Sequence, residues 1–284
     1  DIFQILDKAL IAHRMAKGNY NKKYYIFNES LEKNMVKEHD IEMAMEEGIQ
    51  KQEFKIFYQP KISSKTGKIE AAEALVRWEK NGVLIPPGEF ISIFEKNKFI
   101  IKLDEYIYEN VCKDIKEWEN KYGQKMNVSV NVSKEHLMEK SFIENYCKIA
   151  EKYNLKPEDI ELEITESAMI DDNFNMIKIF ENMKKVGFKI SIDDFGTGYS
   201  SLNMLQNMPI DIIKIDKSFI NQTQMLEIIM MIVNKLKLKT VAEGVETSQQ
   251  VQDLKALGVD LLQGYYYSKP LEKSEFEKYW KNNS

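Results

Sequence analysis

Residues 189–201 read KISIDDFGTGYSS. Ile190 and Ile192 alternate with Ser191, the period-two pattern of a half-buried strand. That strand has to end at Asp193-Asp194, because Phe195 and a Gly-Thr-Gly turn follow and a helix start is expected at Ser200 or Ser201. Successive side chains of a regular strand point to opposite faces, so Asp193 and Asp194 cannot both lie on one face of it. Adjacent carboxylates repel, and burying either is costly unless it is paired or bound to a cation. The stretch alone therefore leaves two readings open: a site for a divalent metal or for phosphate chemistry, or an acidic turn with a helix N-cap.

Working outward, the same strand-then-breaker rhythm recurs. Strand-like runs are predicted over 54–62, 69–78, 127–133, 160–166, 189–194, 210–216, 240–243 and 261–266. Helix-like stretches fall between them over 87–122 (two helices), 134–153, 173–186, 200–207, 218–236 and 248–257. Gly187 and Gly258 stand where glycines close helices. Strands alternating with helices in this way predict an α/β fold, a (β/α)8 TIM-type barrel. The first two runs are joined only by SSKTGK at 63–68, a tight turn, so the first strand is expected to run antiparallel to its neighbour. A doubly wound open sheet is the rival architecture, but the helix it requires after the first strand is missing.

The chain has 284 residues, 43% hydrophobic and 30% charged, enough for one large domain or two smaller ones. A net charge of −5 argues against binding DNA or RNA polymers, which needs a basic face. Cys112 and Cys147 have no metal-type spacing and read as reduced thiols, which suits the cytoplasm. There is no apolar run of about 18 residues and no signal peptide. The start at Asp1 reads as an excised piece, and any membrane tether or sensor is expected upstream. The only arginines are Arg14 and Arg77; elsewhere the chain uses lysine, so each hints at a need for a planar, bidentate donor. Residues 1–50 lack the strand rhythm: a helix over 2–16, a Gly18-Asn19 turn, a short strand-like run at 23–27, then a helix over 28–47 that Gly48 is expected to stop.

In a barrel of this kind chemistry sits where the strands end. The polar residues there are, in order, Gln59; Glu73 and Arg77; Asn131; Glu163 and Glu166; Asp193 and Asp194; Lys214 and Asp216; Glu243 and Glu246; and Gln263. Singly, each has an ordinary reading as an exposed, turn or capping residue. As a set, five or six carboxylates converging on one mouth repel strongly without cations. Oxygen donors suit Mg²⁺ or Mn²⁺ better than zinc, and none of His13, His39 or His136 stands at a strand end. Two such ions side by side can support phosphodiester hydrolysis.

The motifs EAL at 73–75 with Arg77, NVS at 131–133, ELEITES at 161–167, IDDFGTGYSS at 192–201, IKID at 213–216, AEGVE at 242–246 and QGYYYSKP at 263–270 resemble the EAL-domain cyclic di-GMP phosphodiesterases. The likeness covers about residues 45–280. The N-terminal LDKALIAHRMAKGNYNKKYYIF is similar to the end of a GGDEF domain. The implied division is a linker or C-terminal remnant of a preceding GGDEF-like domain over 1–45 and an EAL phosphodiesterase domain over 46–284.

The resemblance implies metal-dependent hydrolysis of cyclic di-GMP to linear pGpG with two Mg²⁺ or Mn²⁺ ions. It implies Glu73, Asn131 and Glu163 at one ion, Asp193 bridging both, and Asp194, Asp216 and Glu243 at the second. Lys214 is implied to orient the attacking water, Glu243 to act as base or ligand, and Glu246 to support them. Gln59, Arg77 and Gln263 are implied to contact substrate, and Glu166 to anchor the 195–201 loop. Near two cations Lys214 is expected to have a lowered pKa. A homodimer and an upstream GGDEF or sensor domain are the implied partners. The segment after Ile220 is shorter than the family commonly has, and no matched position is lost with it. The alternative function is a catalytically inactive receptor that binds cyclic di-GMP; such receptors typically lose one or more of these acids, and here all are present.

Overall fold

The computed structural model describes residues 2–17, 24, 26–169, 173–196 and 202–283. The expected turn at Gly18-Asn19 and residues 197–201 of the glycine-rich loop lie outside that range. Two helices open the chain, α1 (Ile2–Lys17) and α2 (Glu29–Gln50). Tyr24, Ile26 and Phe27, where a short strand was expected, carry no regular structure. α2 also runs past Gly48. A Cβ there would lie 2.9 Å from the Phe54 ring and 3.2 Å from Trp78 Nε1. The glycine thus serves a close approach of helix to barrel and does not end the helix. Ile41 and Ala44 of α2 are buried in the main core, so a division at 45/46 falls inside a helix already packed on the barrel.

β1 (Phe54–Ser63) and β2 (Ile69–Lys80) form an antiparallel hairpin, as expected. Its turn is closed by Gly67 N donating to Ser63 O (2.9 Å) and Ser63 N donating to Lys68 O (2.9 Å). A parallel crossover needs about a dozen residues or more, and this connection is too short for one. β2 folds back once more on the short β3 (Val83–Ile85), which the sequence did not announce.

A 3₁₀ turn (Pro87–Glu89), α3 (Ile91–Lys96) and α4 (Ile100–Tyr122) lead to β4 (Asn127–Asn131). α5 (Lys134–Leu137) and α6 (Phe142–Lys152) lead to β5 (Ile160–Thr165), and α7 (Asn173–Val186) to β6 (Lys189–Phe195). Then come α8 (Leu202–Asn207), β7 (Ile212–Ile215), α9 (Lys217–Ile220), α10 (Thr223–Leu236), β8 (Lys239–Ala242), α11 (Ser248–Ala256), β9 (Leu261–Leu262), β10 (Leu271–Glu272) and α12 (Lys273–Asn282). Gly187 and Gly258 follow α7 and α11 with left-handed backbones, φ +107° and +82°. No helix among the described residues is long and apolar enough to cross a membrane.

β2, β4, β5, β6, β7, β8 and β9 pair in parallel in that order, and β1 pairs antiparallel with both β2 and β9, so eight strands close into a barrel. The fold is the TIM-type barrel with an antiparallel first strand. β3 and β10 only extend its rim.

Barrels of this type are usually filled by branched apolar side chains. Here the fully buried residues include Lys61, Ser129, Glu161, Glu163, Ser191 and Lys214. Strand parity separates them from the shell: Ile190 and Ile192 join the apolar core with the helices, and Ser191 and Asp193 take the other face. β6 then breaks its own parity. Asp194 has φ +54°, and the ladder to β7 slips between Ile192 and Phe195. The extra residue is a bulge. It returns Phe195 to the core and leaves two consecutive aspartates at the barrel mouth.

Candidate active site

Lys214, on β7, is the hub of the mouth. Its ammonium lies 2.6 Å from Glu163 Oε2, 2.7 Å from Glu243 Oε1, 3.0 Å from Asp193 Oδ1 and 3.4 Å from Glu73 Oε2. Those carboxylates arrive from β5, the end of β8, β6 and β2, so one buried cation gathers four strands. Burial by itself would lower the Lys214 pKa, but Glu163, Glu243, Glu73 and Asp193 outweigh it and hold it well above the ordinary value.

The acids respond to the same field. Burial raises the Glu73 carboxyl and Glu163 adds to the rise, with Lys214 and Lys61 opposing. Burial also pushes against ionisation of Glu163, but Lys214 and Lys61 on either side hold it far below the usual carboxylate range. Burial pushes Glu243 up to about 8; Lys214 opposes this, and Asp193, Glu73 and Glu163 reinforce it. Asp194 is raised by burial and by Asp193 and Asp216.

Among the described residues, two groups of carboxylates bring oxygens within 4.8 Å of one another: Glu73, Glu163 and Asp193, and Asp193, Asp194 and Glu243. Asp193 belongs to both. These all-oxygen sets fit hard divalent cations, and two adjoining groups fit two ions. Asn131 Nδ2 donates to Glu73 Oε1 (3.1 Å), which puts its amide beside the first group. Gln263 Nε2 donates to Glu73 Oε2 (2.6 Å) and to Gln59 Oε1 (3.1 Å), and Gln263 Oε1 is buried without a hydrogen-bond partner. The cluster separates two hollows. One, of about 510 Å³, is lined by Arg77, Ile91, Asn131 and Thr165; the other, of about 330 Å³, by Gln59, Glu243, Glu246, Gln263 and Tyr265. Glu73, Leu75 and Asp193 line both.

A family model described as EAL domain matches residues 42–270. The chain belongs to the EAL domain family. It is 36% identical to the signaling protein YkoW of Bacillus subtilis over 98% of its own length and 36% of the relative's. It is 31% identical to the cyclic di-GMP phosphodiesterase NbdA of Pseudomonas aeruginosa, over 97% of this chain and 36% of that protein. It thus spans little more than a third of these relatives. Among solved structures, the PaMucR phosphodiesterase in its c-di-GMP complex superposes with a TM-score of 0.80 at 31% identity, covering 84% of this chain and 99% of that one.

Not every residue picked from the sequence stands in this EAL centre to the same degree. Asp216 caps α9, accepting from Ser218 N at 2.9 Å, and is in neither carboxylate group. Burial would raise it, but the hydrogen bonds from Ser218 and the Lys217 backbone hold it below its ordinary value. Glu246 is exposed on the rim of the smaller hollow. Arg77 faces the larger hollow, half-buried, with Nη1 donating to Val76 O and its guanidinium over the Phe57 ring. Glu166 is buried, and its Oε2 accepts from Gly196 N at 2.7 Å, an anchor at the start of the glycine-rich loop.

Lys61 carries no signal of its own in FYQPKIS, yet its ammonium is buried against Glu163 Oε1 (2.8 Å), Ser129 Oγ (2.8 Å) and Glu161 Oε1 (3.4 Å). Parity with Gln59 two residues earlier is the one feature of the sequence that places it inside.

The raised Glu243 carboxyl sets a pH dependence. It binds its proton more tightly in the folded chain than in the unfolded one, so folding is penalised progressively as pH rises from 4.5 to about 8. In chelator the thermal midpoint is expected to fall across that window, and Glu243→Gln to flatten the fall. Parallel profiles for the two proteins would show that Glu243 does not titrate there.

Proposed function

We propose that this EAL domain hydrolyses cyclic di-GMP to linear pGpG. The observation that carries the reading is the pair of carboxylate groups sharing Asp193 at the junction of two hollows. A cyclic dinucleotide has a base on each side of its phosphate ring, and two hollows meeting at an acid cluster accommodate that shape. The similarity to the PaMucR phosphodiesterase in its c-di-GMP complex supports the same substrate.

Glu73, Asn131, Glu163 and Asp193 would hold one ion, and Asp193, Asp194 and Glu243 the second, with Asp216 supporting it from the end of β7. Mg²⁺ or Mn²⁺ bound there supplies Lewis-acid activation of water and neutralises phosphate charge. Arg77 pairs with a phosphate oxygen, and Gln59 and Gln263 hydrogen-bond to the substrate on the opposite side. Lys214 donates to the attacking water and orients it; Glu243 takes its proton. Water oxygen joins phosphorus, one phosphodiester P–O bond breaks, and the leaving ribose oxygen takes up a proton from solvent while Glu243 returns the one it accepted to solvent. Glu246 supports the smaller hollow from its rim, and Glu166 steadies the loop after Asp194. A receptor that binds without cutting would not need every acid of the pattern, and every one is present.

Incubation with cyclic di-GMP and Mg²⁺ or Mn²⁺, followed by separation of nucleotides, is expected to yield pGpG, and Ca²⁺ alone to yield none because it favours larger, looser coordination. Tight binding with no product would leave only the receptor reading. No binding would remove both.

A further inference from the structure

We infer that Lys61 is a positioning residue for the metal ligand Glu163, an assignment that rests on the two-ion reading above. The two oxygens of Glu163 are divided between two lysines: Oε1 accepts from Lys61 at 2.8 Å and Oε2 from Lys214 at 2.6 Å. The two ammoniums are not equivalent. Lys214 also touches Glu73, Asp193 and Glu243, so it competes with any cation for the oxygens of both carboxylate groups. Lys61 stands one layer deeper in the barrel. Its partners are Glu163, Glu161 and Ser129, and the last two belong to neither group.

When a cation takes over Glu163 Oε2, Lys61 still holds Oε1 and the carboxylate keeps its aim. Lys61 also ties together the strands of the site at a common depth. Gln59, Asn131 and Glu163 stand two residues along β1, β4 and β5 from Lys61, Ser129 and Glu161 respectively. A layer serving only to fill the barrel would be met equally well by apolar side chains. A buried ammonium fixed on one oxygen of a ligand is the arrangement of an outer partner that orients and tunes a metal ligand.

The test is calorimetric titration of chelator-treated protein with Mn²⁺, with folding checked by circular dichroism. Lys61→Met leaves Glu161 and Glu163 short of a counter-charge and can fail to fold. The double variant Lys61→Met/Glu161→Gln removes one charge of each sign and keeps the balance. It is expected to bind Mn²⁺ about 10–100-fold more weakly than the wild type, and its turnover of cyclic di-GMP to recover when Mn²⁺ is raised. A merely structural role would not give that recovery. Glu161→Gln alone keeps the ammonium on Glu163 and is expected to stay within about threefold of wild-type affinity. A folded double variant with wild-type Mn²⁺ affinity overturns the role of Lys61 alone, as does an equal loss in Glu161→Gln. A wild-type protein that binds no Mn²⁺ overturns the two-ion reading and this one together.

Discussion

Asp193→Ala is expected to lower turnover of cyclic di-GMP by about 10³-fold or more, equivalent to about 4 kcal/mol of transition-state stabilisation. Asp193 is the one side chain common to both carboxylate groups. On the two-ion reading its removal would take a ligand from both ions, whereas Asp194→Ala would take one from the second group only. The loss should therefore exceed that of Asp194→Ala and should not be recovered by raising Mg²⁺ or Mn²⁺. The barrel should survive. Asp193 contacts Lys214 at 3.0 Å and accepts from Asp194 N at 2.9 Å, but Lys214 keeps three other carboxylates, and one repelling charge is gone. Steady-state kinetics with circular dichroism on the same samples decides it. A folded variant with near-normal rates would mean that the ions are not held here.

Gly264→Ala is expected to be the most damaging single methyl addition to the site. A Cβ at Gly264 would lie 2.2 Å from both the N and the O of Val245, and 2.7 Å from its carbonyl carbon. Backbone cannot step aside as a flexible side chain can. Val245 N donates to Gln263 O at 3.0 Å, Tyr266 N donates to Val245 O at 2.9 Å, and the Val245 side chain is fully buried. Relief has to come from the segment 243–246, which carries Glu243 and Glu246, or from Gln263 itself. Overpacking of this kind costs about 3 kcal/mol of stability, or a fall in thermal midpoint of about 5 °C for a chain of this size. Activity should fall at temperatures where the fold is intact. A variant with an unchanged midpoint would show that the two segments part easily.

The barrel was legible because its signals are local. Each strand ends in a polar residue followed by a breaker, and SSKTGK is too short to hide a helix, so even the antiparallel first strand could be read. Short elements outside the strand–helix alternation were not legible: β3 and β10 have three and two residues, and unlike the equally short β9 no preceding helix announces them as the next barrel strand. Gly48 was misleading because a glycine within a helical run reads as a stop, and what requires it is the approach of Phe54 and Trp78 from later in the chain.

The site divides in the same way. Glu73, Glu163, Asp193, Asp194 and Glu243 could be named one strand at a time, and the structure brings them together. Asp216 shares strand parity with Lys214, but its local backbone claims it as a helix cap. Lys61 is the converse case. Its position depends on Glu161 and Glu163, a hundred residues away in sequence, and a lysine alternating on a strand normally reads as exposed. The adjacent aspartates looked contradictory because a regular strand was assumed, and the bulge at Asp194 removes the contradiction.

Lys214 also bears on how this chain comes to be made. Its ammonium draws together carboxylates from β2, β5 and β6 and the one that follows β8. In small metal-nucleated domains, ion binding and folding are one event. Here a buried ammonium already bridges the strand ends, so the barrel is expected to fold in chelator. On the two-ion reading proposed above, loading would be an exchange in which divalent cations take carboxylate oxygens from that ammonium, and metal supply would govern activity rather than folding.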